Sequence, residues 1–176
     1  KFMKIDAHQH FWKYTPDEYG WISDEMSILR RDFLPGDLKN ELKRLNFNGS
    51  IAVQARQTKR ETEWLLQLAK EYDFIKGVVG WVDLCNPKVT EQLEKLAKNK
   101  KLVGVRHVVH DEPDDRFLLR EDFLNGIAQL FDFDLTYDIL IFEKHLPVTL
   151  EFVDKFPKQK FVLDHIAKPR ITDKIL

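Results

Sequence analysis

Three residues near the start of the chain carry the sharpest chemistry: Asp6, His8 and His10, in the run Asp6-Ala7-His8-Gln9-His10. On an extended strand, residues two apart share a face. The three ionisable side chains then point one way, and Ile5 and Ala7 the other. Such groups on an inward face are costly unless they meet a ligand, a metal or one another. An H-x-H pair can set two imidazoles on one centre, as ligands of a metal ion or as donors to a substrate oxygen. The bland alternative is two surface histidines on an edge strand; the strand context favours the functional pair. A third imidazole, His165, follows Asp164 at the end of a later apolar run, on the parity of Phe161 and Leu163. Alone, such a histidine is most often structural. Beside the first pair, it becomes a third group able to converge from another strand end.

Positioning these residues requires a regular scaffold, and the chain alternates two periods. Short runs rich in Val, Ile and Phe occur at residues 3–11, 49–55, 74–84, 102–109, 136–142 and 160–166. Between them lie amphipathic stretches at 34–47, 60–72, 87–99, 122–131 and 145–156. Leu38, Leu42 and Leu45 in the first, and Trp64, Leu65, Leu68 and Ala69 in the second, recur at helical spacing. Strand and helix in strict alternation predict parallel strands joined by crossover helices. No G-x-G-x-x-G or phosphate-binding loop follows any strand, which argues against a nucleotide-binding open sheet. Polar residues gather near the C-terminal ends of several strands, where (β/α)₈ barrels place their chemistry. The expected fold is therefore α/β, a TIM barrel cut short after about six βα units, with residues 1–176 forming a single incomplete domain. An open six-stranded sheet is the alternative.

Composition excludes several classes. Lys and Arg number 28 against 29 Asp and Glu, so no basic footprint suggests nucleic acid. No apolar stretch is long enough to span a membrane, and the N-terminus reads as a strand, not a signal peptide. The single cysteine, Cys85, allows no internal disulfide, which suits a reducing cytoplasmic setting. It sits between Leu84 and the Asn86-Pro87 turn, where inert packing is the favoured role. Residues 13–32 form the longest irregular stretch and hold Tyr14, Tyr19 and Trp21, with Trp12 at the edge. That aromatic content predicts an ordered lid over a site.

Asp-Ala-His-Gln-His-Phe-Trp at 6–12 resembles the opening of the amidohydrolase superfamily, in its lactonase-like branch. Val53-Gln54-Ala55, Gly80-Trp81-Val82-Asp83-Leu84, Gly104-Val105-Arg106-His107, Tyr137-Asp138, His145-Leu146-Pro147 and Asp164-His165-Ile166-Ala167-Lys168-Pro169 resemble it in the same order. Each piece is weak; the ordered set is specific. The resemblance implies a hydrolase that opens a lactone ring, with a sugar-acid lactone such as an L-fucono- or L-rhamnono-lactone as substrate. His8, His10 and His165 would polarise the carbonyl, directly or as ligands of one divalent metal, zinc included. Arg106 and Gln54 would bind substrate oxygens, with Trp12 and His145 as further contacts. His107, of opposite parity to Arg106, would face the helices.

Two departures qualify that resemblance. Two-metal amidohydrolases carry a bridging lysine after the fourth strand, and Arg106 and His107 stand there instead, which argues against a two-metal site. The branch's general base is an aspartate at the end of an eighth strand, in a Gly-Ser-Asp-Trp-Pro-like segment that these 176 residues do not contain. General-base catalysis contributes about 10²–10⁴-fold, so this chain alone is expected to be nearly inactive. Amide or ester hydrolysis, or metal-assisted decarboxylation, is the runner-up chemistry. A non-catalytic binding module for a carbohydrate acid is the alternative of a different class. The expected partner is a small-molecule lactone; unpaired barrel edges would also favour association, with a second copy among the candidates.

Overall fold

A computed structural model describes residues 2–173; residue 1 and residues 174–176, which bound the expected 1–176 domain, lie outside the described residues. Six strands form one sheet: β1 (Ile5–Gln9), β2 (Gly49–Val53), β3 (Ile75–Gly80), β4 (Leu102–Val108), β5 (Thr136–Leu140) and β6 (Phe161–Leu163). Five helices join them in turn: α1 (Pro35–Arg44), α2 (Lys59–Glu71), α3 (Val89–Leu96), α4 (Glu121–Leu130) and α5 (Leu146–Asp154). All five strand pairs are parallel.

The order β1-β2-β3-β4-β5-β6 is sequential. A doubly wound sheet reverses its order at a switch point, where the chain returns to the middle. A barrel wall grows by one strand each time, always in one direction. The sequential order therefore excludes the doubly wound alternative and leaves six staves of a barrel.

The core lies between this wall and its helices. Val78, Val105, Tyr137 and Ile139 of the strands are buried together with Leu65, Leu93, Phe123, Ile127 and Phe152 of the helices. Strand alternation sends Val105, His107 and Tyr137 toward the helices. Phe123 lies edge-on to Tyr137, with ring centroids 5.8 Å apart. His107 stacks on Phe117 at 4.9 Å and faces Glu112 at 2.6 Å, on the helix side as its parity requires.

Local chemistry sets the helix ends. Pro35 opens α1, where its missing N–H costs nothing, and the Asp37 carboxylate accepts the Leu34 N–H at 2.9 Å. Thr58 caps α2 by accepting the Glu61 N–H at 3.2 Å. In α4 a glycine lets the helix touch the loop after β3: a Cβ on Gly126 would lie 2.0 Å from the Leu84 carbonyl oxygen. Backbone cannot yield as a side chain can, so α4 would have to move. Gly126→Ala is expected to destabilise the chain by about 1–3 kcal/mol, read as a lower urea midpoint at unchanged m-value.

Part of residues 13–32, expected as a lid, packs through its aromatic residues. Trp12 and Phe33 form an antiparallel bridge with paired 3.0 Å hydrogen bonds. Trp12, Tyr19 and Ile22 are buried as a second cluster, flanked by Tyr14, Leu29, Phe33 and Ala55. A 3₁₀ segment at Asp24–Leu29 closes the excursion. Cys85 is half-buried, and burial, followed by the neighbouring Asp122 carboxylate, pushes its thiol up to about 11. That is the environment of an inert thiol.

Candidate active site

The inner face of the wall gathers its polar groups at the C-terminal ends of the strands. His8 comes from β1, Gln54 follows β2, Arg106 stands in β4, Asp138 in β5, and Asp164 follows β6. Arg106 and Asp138 are register partners across β4 and β5, so they share this face.

Arg106 is the hub. It is 3% exposed. Its Nη1 donates to Asp164 Oδ2 at 2.8 Å and lies 3.3 Å from His8 Nε2. Its Nη2 donates to Gln54 Oε1 at 2.8 Å and to the Gln54 carbonyl. One guanidinium thus ties β1, β2, β4 and the end of β6 together, as its planar fork permits. Its Nε and the Gln54 Nε2 are buried without hydrogen-bond partners among the described residues.

The histidines take defined positions. His10 Nδ1 lies 2.9 Å from the Val53 carbonyl oxygen, which can only accept. The proton therefore sits on Nδ1, and Nε2 keeps its lone pair. Burial, and then the Arg106 charge, pull His10 down to about 4, so the ring is neutral at ordinary pH. His8 Nε2 lies 3.3 Å from His10 Nε2, while His8 Nδ1 faces Asp164 Oδ1 at 3.5 Å. The His165 ring centroid is 4.7 Å from that of His8, and burial, followed by the His8 charge, lowers its pKa.

Burial alone would raise Asp164, but hydrogen bonds from His8 and Arg106 outweigh it and hold the carboxyl below its ordinary value. Asp138 behaves oppositely. Burial, and then the Asp164 charge, push it up to about 6. Two carboxyls near one guanidinium therefore have their pKa values pushed in opposite directions.

The structure brings His8, His10, His165, Arg106 and Gln54 together. Trp12 stands at the margin, its ring 6.5 Å from that of His10. His145 does not join: it is buried against the Phe142 N–H and Asp115. Asp6 turns back to accept the His8 N–H at 3.3 Å, beside a bulge in the β1–β2 register. Sequence reasoning missed Asp164 and Asp138. Their signal was an inward arginine in an uncharged strand, which requires a buried carboxylate nearby.

The segment after β6 is strained. His165, Ile166, Ala167 and Lys168 all have positive φ, between 50° and 59°. Left-handed backbone costs a non-glycine residue roughly 1–2 kcal/mol, more readily tolerated where a site demands it. It turns His165 beside His8 and buries Asp164 beneath Arg106.

A second carboxyl supports the loop after β2. Glu61 Oε2 accepts the Ala55 and Arg56 N–H groups at 3.1 and 2.8 Å. Burial pushes Glu61 up to about 7 despite those bonds. The folded state then holds this proton more tightly than the unfolded state, so Glu61 costs stability as pH rises from its ordinary range toward 7. Glu61→Gln should remove that penalty. Its melting temperature relative to wild type is expected to climb between pH 4.5 and 7, by the equivalent of about 3 kcal/mol. A constant difference across that range would refute the assignment.

Fold and cluster together define a partial (β/α) barrel with its polar centre at the C-terminal ends of the strands. The chain belongs to the amidohydrolase family, which it matches over residues 5–175. It is 41% identical over 172 residues to an L-fucono-1,5-lactonase of Burkholderia multivorans, covering 97% of this chain and 58% of that protein. A Burkholderia ambifaria L-fucono-1,5-lactonase is 34% identical over 169 residues, again with 58% of its length covered. A crystal structure of an amidohydrolase from Burkholderia multivorans with bound zinc superposes with a TM-score of 0.92 at 41% identity, covering 96% of this chain and 59% of that one. The chain thus spans about three-fifths of the length of these relatives. The expected family and the partial amidohydrolase barrel are both borne out. No helix among the described residues is long and apolar enough to cross a membrane.

Proposed function

We propose that this chain forms the substrate-polarising part of a hydrolase that opens a sugar-acid lactone, of the L-fucono-1,5-lactone kind. The observation that carries the proposal is the convergence of His8, His10, His165, Asp164 and Arg106 on one point of the barrel mouth. Asp164 faces Nδ1 of His8 and leaves Nε2 directed at the cluster. His10 offers a lone pair at Nε2, and the Arg106 charge stands behind both rings. A lactone carbonyl placed here would be polarised by the Arg106 charge where its oxygen gains charge. Neutral His10, its lone pair outward, can accept a hydrogen bond from the attacking water or a substrate hydroxyl. Water adds to the carbonyl carbon, the ring C–O bond breaks, and the ring oxygen leaves as a hydroxyl. The proton that the adding water loses passes to the free Nε2 of His8, backed by Asp164, and His8 is placed to return it to this oxygen.

The donor set also suits one divalent cation. His8, Asp164 and His165 each present a ligand atom, all within 4.8 Å of one another. Nitrogen and oxygen donors in that number match a catalytic zinc site, which takes three protein ligands and keeps one position open. Bound there, the ion would supply Lewis-acid polarisation of the carbonyl.

The test is acid release from L-fucono-1,5-lactone, followed with a pH indicator, for the longest natural polypeptide that contains this chain. Turnover of the lactone, lost in His8→Ala, is expected; the 176-residue chain by itself should be slower by about 10²–10⁴-fold. Release from amides but from no lactone would sink the proposal.

A further inference from the structure

Outside the histidine cluster, a cavity of about 200 Å³ lies between the 13–32 excursion and the first turns of α2. Its lining is Lys13, Glu18, Tyr19, Arg56, Arg60, Glu61 and Trp64, none of which belongs to the cluster. Arg56 is paired with Glu18 at 2.9 Å. Lys13 and Arg60 make no ion pair among the described residues, so the lining carries an uncompensated positive charge. Glu61, only 5% exposed, has one oxygen on the backbone of Ala55 and Arg56 and the other, Oε1, buried without a partner among the described residues. A buried carboxyl oxygen left unsatisfied is costly, and a ligand that reaches it recovers that cost.

We propose that this cavity is a second binding site, for a small polyhydroxy carboxylate whose carboxylate meets Arg60 and Lys13 and whose hydroxyl meets the Glu61 carboxyl. The positive lining asks for an anion. The orphaned oxygen asks for a hydrogen-bonding group beside that anion. A hydroxyl serves whether Glu61 is ionised or protonated, because it both donates and accepts, and Glu61 titrates near 7. An ammonium group would serve only the ionised form and would sit beside Lys13 and Arg60. The Trp64 and Tyr19 rings offer apolar faces to the carbon chain. The cavity is smaller than the roughly 300 Å³ where drug-sized pockets begin, which restricts the ligand to a small molecule.

The site is distinct from the lactone-opening centre, and its test does not depend on turnover. Sodium gluconate is titrated calorimetrically into the full chain carrying His8→Ala and His10→Ala, so that the histidine cluster does not compete. Saturable binding is expected. It should weaken by about tenfold or more when Arg60→Gln and Lys13→Gln are added, the order expected for lost charge-assisted hydrogen bonds. Both positions are exposed, so the fold, checked by circular dichroism, should be unchanged. Sorbitol, without the carboxylate, and acetate, without the hydroxyls, should each bind at least tenfold more weakly than gluconate. No saturation, binding insensitive to the Arg60 and Lys13 changes, or glycine binding as well as gluconate would each overturn the proposal. Lactone hydrolysis can fail in its own assay while this binding holds, and the reverse.

Discussion

Arg106→Met is expected to destabilise the chain by about 3–5 kcal/mol, the usual penalty for stranding a buried charge. Asp164 is 3% exposed, and Arg106 is its 2.8 Å partner. Removing the guanidinium leaves that carboxylate in a low-dielectric interior with only His8 beside it, at 3.5 Å. Gln54 loses its donor as well. The loss should appear as a lower urea midpoint and an upward shift of the Asp164 pKa. The double variant Arg106→Met/Asp164→Leu should recover most of the stability, because a buried ion pair replaced as a unit by apolar side chains is often neutral. That recovery separates a stranded charge from a mere packing defect. A single-variant loss below about 1 kcal/mol, the scale of a surface pair, would show that Arg106 is not the structural hub described here.

The second large effect concerns metal. Zinc at 100 times its dissociation constant should stabilise the folded chain by about 2.7 kcal/mol. His8→Ala should abolish that stabilisation, since His8 belongs both to the three-histidine set expected from sequence and to the group of His8, Asp164 and His165. Asp164→Asn should abolish it too, because an amide oxygen lacks the charge that holds the ion. His10→Ala tells the two sets apart: retained stabilisation identifies the carboxylate-containing set, and loss identifies the three histidines. Zinc leaving the melting temperature of the wild-type chain unchanged would exclude both sets. Denaturation with and without a chelator supplies the measurement.

Much of the scaffold was legible because its signals are local. Alternating runs located all six strands, and stripes such as Trp64, Leu65 and Leu68 located the helices, to within a few residues. Hydrophobic periodicity depends only on neighbours in sequence. Strand order was less accessible, since alternation of strand and helix fits both a barrel and an open sheet. The site was legible in part. His8 and His10 announced themselves by spacing on one strand, and Arg106 by its place in β4. Asp164 did not, because the inward face of β6 was not identified. Register pairs Val162 of β6 with the inward Asp138, so Asp164, two residues after Val162, keeps the inward parity. His165 has the other parity and comes beside His8 where the backbone turns left-handed. Asp138 hid within the apolar run of β5, where only the need for a partner to Arg106 marked it. His145 looked alike in sequence to the other histidines, yet its bonds to Asp115 and Phe142 N–H hold it apart.

The central guanidinium also bears on the order in which the chain organises itself. Arg106 reaches His8 across 98 residues and Asp164 across 58. Contacts so distant in sequence carry a large loop-closure cost, and parallel strands delay their formation further. Each βα unit can begin to condense on its own, but the polar centre exists only after β1 and β6 have both docked. Competence to bind at this centre is therefore a late event in folding, and ligand binding timed against the return of helical signal would report the moment β1 and the end of β6 meet.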